Sequence, residues 1–288
     1  MKVLVIGYMY DNITMLVKNF SKIDLEEEID HMSFGYAGGA LVVATMNKLL
    51  GVSVSFKIKP EINIDDSISN KEFEIAIKKQ LSAISSKDKN TFVAIYDNAQ
   101  KRQCYISIKS DFCSDDFALY DFSEFDIVFF CSVSASIVKT LFKENLSIKE
   151  TCSVLIPNGL IGTYFNNSNF SVPANFLFVN QAEFDSVLCE NVGVSAEKNK
   201  MQDISKGITN IVITKGKDGV SAFVDGNYLQ QNVLNVDTPI HPGGAGDSFA
   251  VGFMSSYMSI PKELDTAILK GHECAIKALK TVDILEVL

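Results

Sequence analysis

The residues best suited to chemistry lie near the C-terminal end of the chain, where an aspartate closes a glycine-rich turn. The turn reads His241-Pro242-Gly243-Gly244-Ala245-Gly246-Asp247, and apolar residues at helical spacing follow it. Because these small residues leave the backbone accessible, several N–H groups can point at one anion, and a helix N-terminus favours phosphate oxygens. An aspartate beside such a pocket can take a proton from a hydroxyl while the amides stabilise a transferring phosphoryl group. The alternative is a tight loop in which Asp247 only caps the helix.

This turn resembles the C-terminal signature of the ribokinase-like (PfkB-type) carbohydrate kinases. The matching residues are Gly244-Ala245-Gly246-Asp247-Ser248-Phe249, followed by Gly252-Phe253. The resemblance implies that Asp247 is the catalytic base and that the amides of residues 244 to 246 form the anion hole. His241-Pro242 stand where the family has Asp-Thr, so the need for the K⁺ ion that the family binds around this loop is left open.

The elements that must position this turn alternate along the chain as buried β-branched runs and helical patterns. Such runs occupy residues 3–6, 126–131, 152–156, 176–179 and 211–214. The alternation predicts an α/β protein with a parallel sheet and right-handed crossovers. No repeat, low-complexity tract or linker interrupts it, so we expect a single domain over residues 1–288. The resemblance implies a three-layer α/β/α Rossmann-type sheet with a small β lid.

The lid is expected from a hairpin and a polar, strand-like segment before it. Residues 91–96 and 104–108 are β-rich and a polar stretch joins them, which predicts the hairpin. The resemblance implies lid strands within about 12–35 and 91–109 that exclude water when they close. The alternative is an antiparallel extension of the main sheet. Because a lone hairpin is marginally stable, the lid needs either those extra strands or a partner subunit, and a homodimer through the lid is the second of these two expectations.

Substrate-binding candidates lie in the first part of the chain and in the hairpin. Asp11 follows the first strand and its glycine, where ligands of open α/β sheets gather, although simple turn chemistry is the alternative. Gly38-Gly39 and the helix after it are similar to the family's N-terminal signature, and Arg102 in the hairpin is a further candidate. Val42 stands at the position of the family's substrate-binding Asn and cannot make that hydrogen bond, so the substrate is held differently or weakly.

Nucleotide and metal candidates lie in the second half of the chain. Asn180 and Glu183 resemble the family's Asn-x-x-Glu motif, which implies that they order Mg²⁺; a helix cap is the alternative. Thr214, Gly216 and Gly219 match a turn that lines the nucleotide site in the family, with an ordinary β-turn as the competing interpretation. His272 lies where it could line a purine, but a histidine on the helix surface is the favoured reading.

Composition limits the class of protein. The chain has 288 residues, 47% hydrophobic and 21% charged, which is typical of a globular protein. A net charge of −9 argues against nucleic acid or an anionic membrane as the main partner. The six cysteines are scattered without a metal-type spacing and are predicted to be reduced thiols. With no apolar run of membrane-spanning length and no signal-peptide pattern, the expected location is the cytoplasm.

The sequence therefore predicts an ATP- and Mg²⁺-dependent kinase that phosphorylates a hydroxyl of a sugar or sugar derivative. One alternative is a nucleoside or other small-metabolite kinase of the same fold, suggested by Val42. Another is a catalytically weak paralogue that binds a metabolite or partner, suggested by the departures at Val42, Ile156 and His241 and by the missing Gly-x-Asp motif after the strand of residues 53–58. At Ile156 the family commonly has an aspartate before Pro-Asn.

Overall fold

An eight-stranded sheet is the centre of the structure, which is a computed structural model. It describes residues 1–17, 29–62, 64, 68–85, 87–97, 102–109, 111–117, 120–166, 169–188, 194–204, 207–232, 243–260, 263–281 and 284–288. The strands of this part of the chain are β1 Lys2–Tyr8, β2 Tyr10–Val17, β3 Ile29–Ala37, β4 Ser53–Lys59, β5 Thr91–Asp97, β6 Arg102–Ser107, β7 Ile127–Cys131, β8 Cys152–Ile156, β9 Phe165–Asn166, β10 Asn169–Phe170, β11 Phe176–Asn180, β12 Asn210–Thr214, β13 Val220–Val224 and β14 Asn227–Gln231. The helices are α1 Gly39–Leu49, α2 Asn70–Ala83, α3 Ala135–Glu144, α4 Gln181–Leu188, α5 Val194–Ile204, α6 Ala245–Ser259 and α7 Leu264–Leu279.

The main sheet has the order β14-β13-β12-β11-β8-β7-β1-β4. Six strands, from β12 to β4, are parallel, while β13 and β14 add an antiparallel edge. Strands β1, β7, β8 and β11 are almost wholly buried, as their continuous apolar runs predict. Strands β9 and β10 form a separate two-stranded sheet.

Helices cover both faces of the main sheet. One apolar cluster contains buried residues of α1, α2, α6 and α7, and the other contains those of α3, α4 and α5. Alternate residues of β1 belong to different clusters, Val3 and Val5 to the first and Leu4 and Ile6 to the second. The predicted three-layer α/β/α architecture is thereby confirmed.

A second sheet of four strands has the order β3-β2-β5-β6. It combines the hairpin of β5 and β6 with β2 and β3, which come from the polar segment before α1; residues 18–28 and 98–101 lie outside the described part. The hairpin pairs with β2 rather than with the main sheet, so the alternative of a simple extension of the main sheet is wrong. Strand β2 runs parallel to β5 and antiparallel to β3.

The surface-facing helix α2 follows the sequence pattern closely. Phe73, Ile77 and Leu81 are buried on one face, and Ser69 and Glu72 form a capping box at its start.

In the described part of the chain, no helix is long and apolar enough to cross a membrane. The cysteines that the structure describes form no disulfide bond with one another; they are Cys104, Cys113, Cys131, Cys152 and Cys274.

Candidate active site

The start of α6 forms the floor of the candidate site. Gly244 has φ 77°, a left-handed conformation that glycine adopts without cost, and no side chain caps the helix there. A Cβ on Gly244 would lie 2.9 Å from Cγ2 of Val42, so Val42 fills the space behind the turn. The first N–H groups of a helix have no partner within the helix, and they can bind an anion. His241 and Pro242 lie outside the described residues.

Asp247 lies in the first turn of α6 with its Oδ1 atom buried. A Cβ on Gly39, the first residue of α1, would lie 2.8 Å from that oxygen and 3.2 Å from Nδ2 of Asn158. The carboxylate therefore reaches the start of a second helix, and only glycine leaves room for it there. Burial and the negative charge of Asp247 both raise the pKa of the Cys131 thiol well above its ordinary value.

Ser132 and Asn158 complete the side of the candidate site where Asp247 meets Gly39. The sequence analysis did not predict either of them as a site residue. Ser132 follows β7 and Asn158 follows β8, and Nδ2 of Asn158 donates a 2.8 Å hydrogen bond to Oγ of Ser132. Both have positive φ, 59° and 50°, which is uncommon for residues other than glycine. Strained backbone of this kind concentrates at functional sites. The available signal was the Pro157-Asn158 pair after a buried strand, at the end where ligands bind.

The predicted nucleotide turn lies next to the α6 turn. A Cβ on Gly246 would lie 4.0 Å from Oγ1 of Thr214, at the end of β12. Gly216 and Gly219 have φ 57° and 96°, and the N–H of Lys215 donates to the carbonyl of Gly219 at 2.8 Å. No atom of the described residues lies within 4 Å of the Cβ position of Gly216, so this position is open on that side. The structure thus brings together the two turns that the sequence assigned to phosphate and nucleotide.

A buried ion pair anchors this nucleotide turn. Nζ of Lys215 lies 2.8 Å from both carboxylate oxygens of Glu197 in α5, and these side chains are only 10% and 4% exposed. The hydroxyl of Tyr228 donates to Oε1 of Glu197 at 3.2 Å. Sequence reasoning missed this pair, because no local pattern links a residue of α5 to the turn after β12.

The metal candidates Asn180 and Glu183 form a reciprocal helix cap at the start of α4. The sequence analysis gave this cap as the alternative to Mg²⁺ binding. Oδ1 of Asn180 accepts from the N–H of Glu183 at 2.9 Å, and Oε2 of Glu183 accepts from the N–H of Asn180 at 3.0 Å. Asn180 pairs in register with Thr214, so the cap lies beside the nucleotide turn. Among the described residues, no group of three His, Cys, Asp or Glu could hold a metal. One carboxylate is compatible with Mg²⁺, which keeps waters and uses phosphate oxygens.

His272 of α7 is a core residue, so the expectation of a histidine on the helix surface is wrong. It is 3% exposed and packs edge-on against Phe249 of α6, with the ring centroids 5.4 Å apart. Neither ring nitrogen has a hydrogen-bond partner among the described residues, and burial lowers the pKa of the imidazole. The prediction of a surface position was wrong because the small residues of α7 let the His272 ring pack closely against α6.

Of the substrate candidates, Asp11 and Gly38 lie where the two sheets meet, whereas Arg102 lies at the far end of the four-stranded sheet. Asp11 forms a 3.1 Å ion pair with Lys89, just before β5, and its N–H donates to the carbonyl of Asn90. Gly38 has φ 119°, and a Cβ there would lie 2.3 Å from the carbonyl oxygen of Tyr8. Arg102 begins β6 and pairs with Tyr96, five residues along β5 from the Thr91 that pairs with Asp11.

Comparison with known proteins indicates which class of protein this chain resembles. The family model described as pfkB family carbohydrate kinase matches residues 168–283. A nucleoside kinase of Methanocaldococcus jannaschii is 27% identical over 84 residues, which are 29% of this chain and 26% of that protein. The match thus spans about a quarter of the length of that curated relative.

Solved structures extend the likeness to the whole chain. The crystal structure of the M. jannaschii nucleoside kinase, an archaeal member of the ribokinase family, superposes with a TM-score of 0.66 at 17% identity, covering 100% of this chain and 94% of that one. The ribokinase of Cryptococcus neoformans in complex with ADP gives a TM-score of 0.72 at 14% identity, covering 99% and 96%. Residues 168–283 thus match the pfkB family model, and the whole chain has the fold of these ribokinase-family structures.

Proposed function

We propose that the protein is a kinase that transfers the γ-phosphoryl group of ATP to a hydroxyl of a sugar or sugar derivative. One observation carries the proposal: the Asp247 carboxylate lies in the first turn of α6 and against Gly39, beside a glycine turn without a side-chain cap. A helix start that only needed a cap would not press its carboxylate against the start of a second helix. The relatives named above include a ribokinase and a nucleoside kinase, which supports a kinase of one of these types.

The step follows from the arrangement of these groups. Asp247 accepts the proton of the acceptor hydroxyl, whose oxygen forms the new bond to the γ-phosphorus. The bond from that phosphorus to the bridging oxygen breaks, and ADP leaves with the electron pair. The N–H groups at the start of α6 stabilise the negative charge on the transferring group. In this arrangement Thr214 and the open surface of Gly216 would contact the nucleotide.

The Asn180–Glu183 cap fits a role in holding Mg²⁺ through water, because it offers a carboxylate next to the nucleotide turn. A bound Mg²⁺ would neutralise negative charge on the phosphate groups. The requirement for K⁺ stays open, since His241 and Pro242 lie outside the described residues. The cytoplasmic location and the homodimer through the four-stranded sheet stay predictions.

A nucleoside is a second candidate for the acceptor, and Val42 favours it. Val42 is 6% exposed and fills the space behind Gly244, so it packs in the core rather than reaching towards a sugar. Asp11 offers a carboxylate for hydroxyl groups, which nucleosides and free sugars both carry. The acceptor must therefore be recognised by further groups on the four-stranded sheet.

The test compares Asp247→Asn with a matched control, Asp265→Asn. Asp265 is the acidic residue in the first turn of α7 and is exposed. Release of ADP from Mg-ATP is measured with a panel of sugars and nucleosides. We expect Asp247→Asn to lower turnover roughly 10²–10⁴-fold, the usual contribution of a general base, with Asp265→Asn unchanged. If Asp247→Asn keeps a rate within about tenfold of wild type, Asp247 is only a helix cap.

A further inference from the structure

The side chain of Asn158 lies beside the Asp247 carboxylate. A Cβ on Gly39 would lie 2.8 Å from Oδ1 of Asp247 and 3.2 Å from Nδ2 of Asn158. These two atoms are therefore at most ~6 Å apart, and at such a distance a polar group on one side chain acts on the charge of the other. The Cβ atom of Cys131 lies 3.3 Å from the same point. The carboxylate is thus lodged between the start of α1, the end of β7 and the loop that follows β8.

Ser132 holds the Asn158 amide in place. β7 and β8 are neighbouring parallel strands, so the residues that follow them meet at the same edge of the sheet. The N–H of Ser132 donates to the carbonyl of Ile156 at 2.8 Å, and Nδ2 of Asn158 donates to Oγ of Ser132 at 2.8 Å. One of the two hydrogens on Nδ2 is used in this bond, and the other is left for a second acceptor. Because the amide group is planar, the bond to Ser132 also fixes the direction of that second N–H.

The backbone of these two residues offers a simpler explanation for their presence. Both have positive φ, 59° at Ser132 and 50° at Asn158, and asparagine adopts this conformation more readily than most residues. On this explanation Asn158 is present for its backbone alone. Serine has no such preference, yet Ser132 adopts the same conformation and accepts the hydrogen bond of the amide. A function of the amide explains both strained residues and the bond that joins them.

The titratable groups around this carboxylate are neutral, distant or paired. On β7, burial and the charge of Asp247 raise the pKa of the Cys131 thiol well above its ordinary value, so the thiol is neutral. The one charged residue of α1, Lys48, lies in the last turn of that helix, at the end away from Asp247. Lys215 of the nucleotide turn lies 2.8 Å from Glu197. The N–H groups at the starts of α1 and α6 are dipoles that favour a negative charge between them.

We propose that Asn158 is a positioning residue for the base: its amide, fixed by Ser132, holds the Asp247 carboxylate in the orientation that proton transfer requires. This inference rests on the proposed kinase function. The second N–H of the amide also favours the charged form of the carboxylate, so the same contact keeps the base deprotonated. Ser132 acts through Asn158.

Glycine substitutions separate the amide from the backbone. Asn158→Gly and Ser132→Gly keep the left-handed conformation, which glycine adopts without cost, and remove the side chain. Asp225→Gly is the matched control, because Asp225 also has positive φ, 49°, but lies in the turn between β13 and β14, at the opposite edge of the main sheet. We expect kcat to fall roughly 10–100-fold in Asn158→Gly, with the KM for ATP and the control variant unchanged. The double variant should lose no more than about twofold beyond Asn158→Gly alone, because Ser132 acts only through the amide.

The pKa of the Asp247 carboxyl group gives a readout that needs no turnover. It is measured by ¹³C NMR titration of labelled aspartate carboxyl groups, with Asp247→Asn for the assignment. Loss of the amide in Asn158→Gly should raise this pKa by roughly 0.5–1 pH unit, because the charged form loses a favourable dipole. Asn158→Asp adds a carboxylate at most ~6 Å away and should raise it by about two pH units, from the repulsion at an effective dielectric constant of about 20. The acid limb of the kcat/KM profile should move in the same direction.

The outcomes separate the two levels of the proposal. If the pKa rises in Asn158→Gly but the wild type phosphorylates no acceptor, the positioning contact stands and the kinase function fails. If the wild type is active and Asn158→Gly keeps its kcat within about twofold with an unchanged pKa, the kinase stands and Asn158 is present for its backbone alone, which overturns the proposal. A fall in kcat with an unchanged pKa assigns Asn158 to the substrate and also overturns it. Should Asn158→Gly not fold, Asn158→Asp decides the matter, because it nearly keeps the size of the side chain: an unchanged pKa overturns the contact.

Discussion

The buried ion pair between Lys215 and Glu197 gives the sharpest stability prediction. Replacement of Lys215 by Met leaves the Glu197 carboxylate, 4% exposed, without its cation. Breaking a buried pair by removing one partner typically costs about 3–5 kcal/mol. The Tyr228 hydroxyl still donates to Oε1 of Glu197, so we expect the lower end, about 3 kcal/mol. For a domain of this size that is a fall in Tm of roughly 6–12 °C.

The matched control is Lys217→Met, because Lys217 belongs to the same turn but is exposed. Its loss should change the free energy of unfolding by less than ~0.5 kcal/mol. The double variant Lys215→Met/Glu197→Gln buries no lone charge, so its cost should be smaller than the sum of the two single costs by roughly 1–3 kcal/mol.

Urea unfolding of the four variants measures these energies, and steady-state kinetics measures the consequence for the nucleotide turn. Because Lys215 lies between Thr214 and Gly216, its loss should raise the KM for ATP more than the KM for the acceptor. Strict additivity of the two single variants, or a cost for Lys215→Met no larger than that of Lys217→Met, would refute the reasoning.

Two further predictions concern Gly39 and His272. Gly39→Ala places a Cβ 2.8 Å from Oδ1 of Asp247, so kcat should fall roughly 10–100-fold through displacement of the carboxylate. The control Gly159→Ala should keep its rate, because no atom of the described residues lies within 4 Å of its Cβ position. Equal rates for the two variants would contradict the contact. The pKa of His272 is lowered by burial, so its neutral form stabilises the fold above pH 6.5, and this stability is lost as the pH falls below that value. Relative to His272→Leu, the wild type should lose up to ~1.4 kcal/mol per pH unit in urea unfolding below pH 6.5, and a difference constant from pH 7.5 to 5.5 would exclude this coupling.

Much of the fold follows from local patterns. The amphipathic spacing of Phe73, Ile77 and Leu81 predicted α2, and the turn before Asp247 predicted the start of α6. The hairpin of β5 and β6 was also predicted. These features depend on side chains within one or two turns of each other, which a single sequence displays directly.

The candidate site was predicted in part. The turns of Gly244 and Thr214 are adjacent, and Asn180 and Glu183 form the cap that was one of two interpretations. His272 was read as a surface residue and is buried. Its burial depends on how α7 packs on α6, which the residues around it do not specify.

By itself, the sequence determined the buried parallel strands, helix α2 and the hairpin of β5 and β6, and it placed an aspartate suited to act as a base at a helix start. Only the tertiary structure decided that Asp247 contacts Gly39 and that Lys215 pairs with Glu197. It also brought Asn158 beside Asp247. The physical reason is that these contacts join residues far apart in the chain. Strand order and register bring them together, and a shift of one residue in register would turn each strand's side chains to the other face.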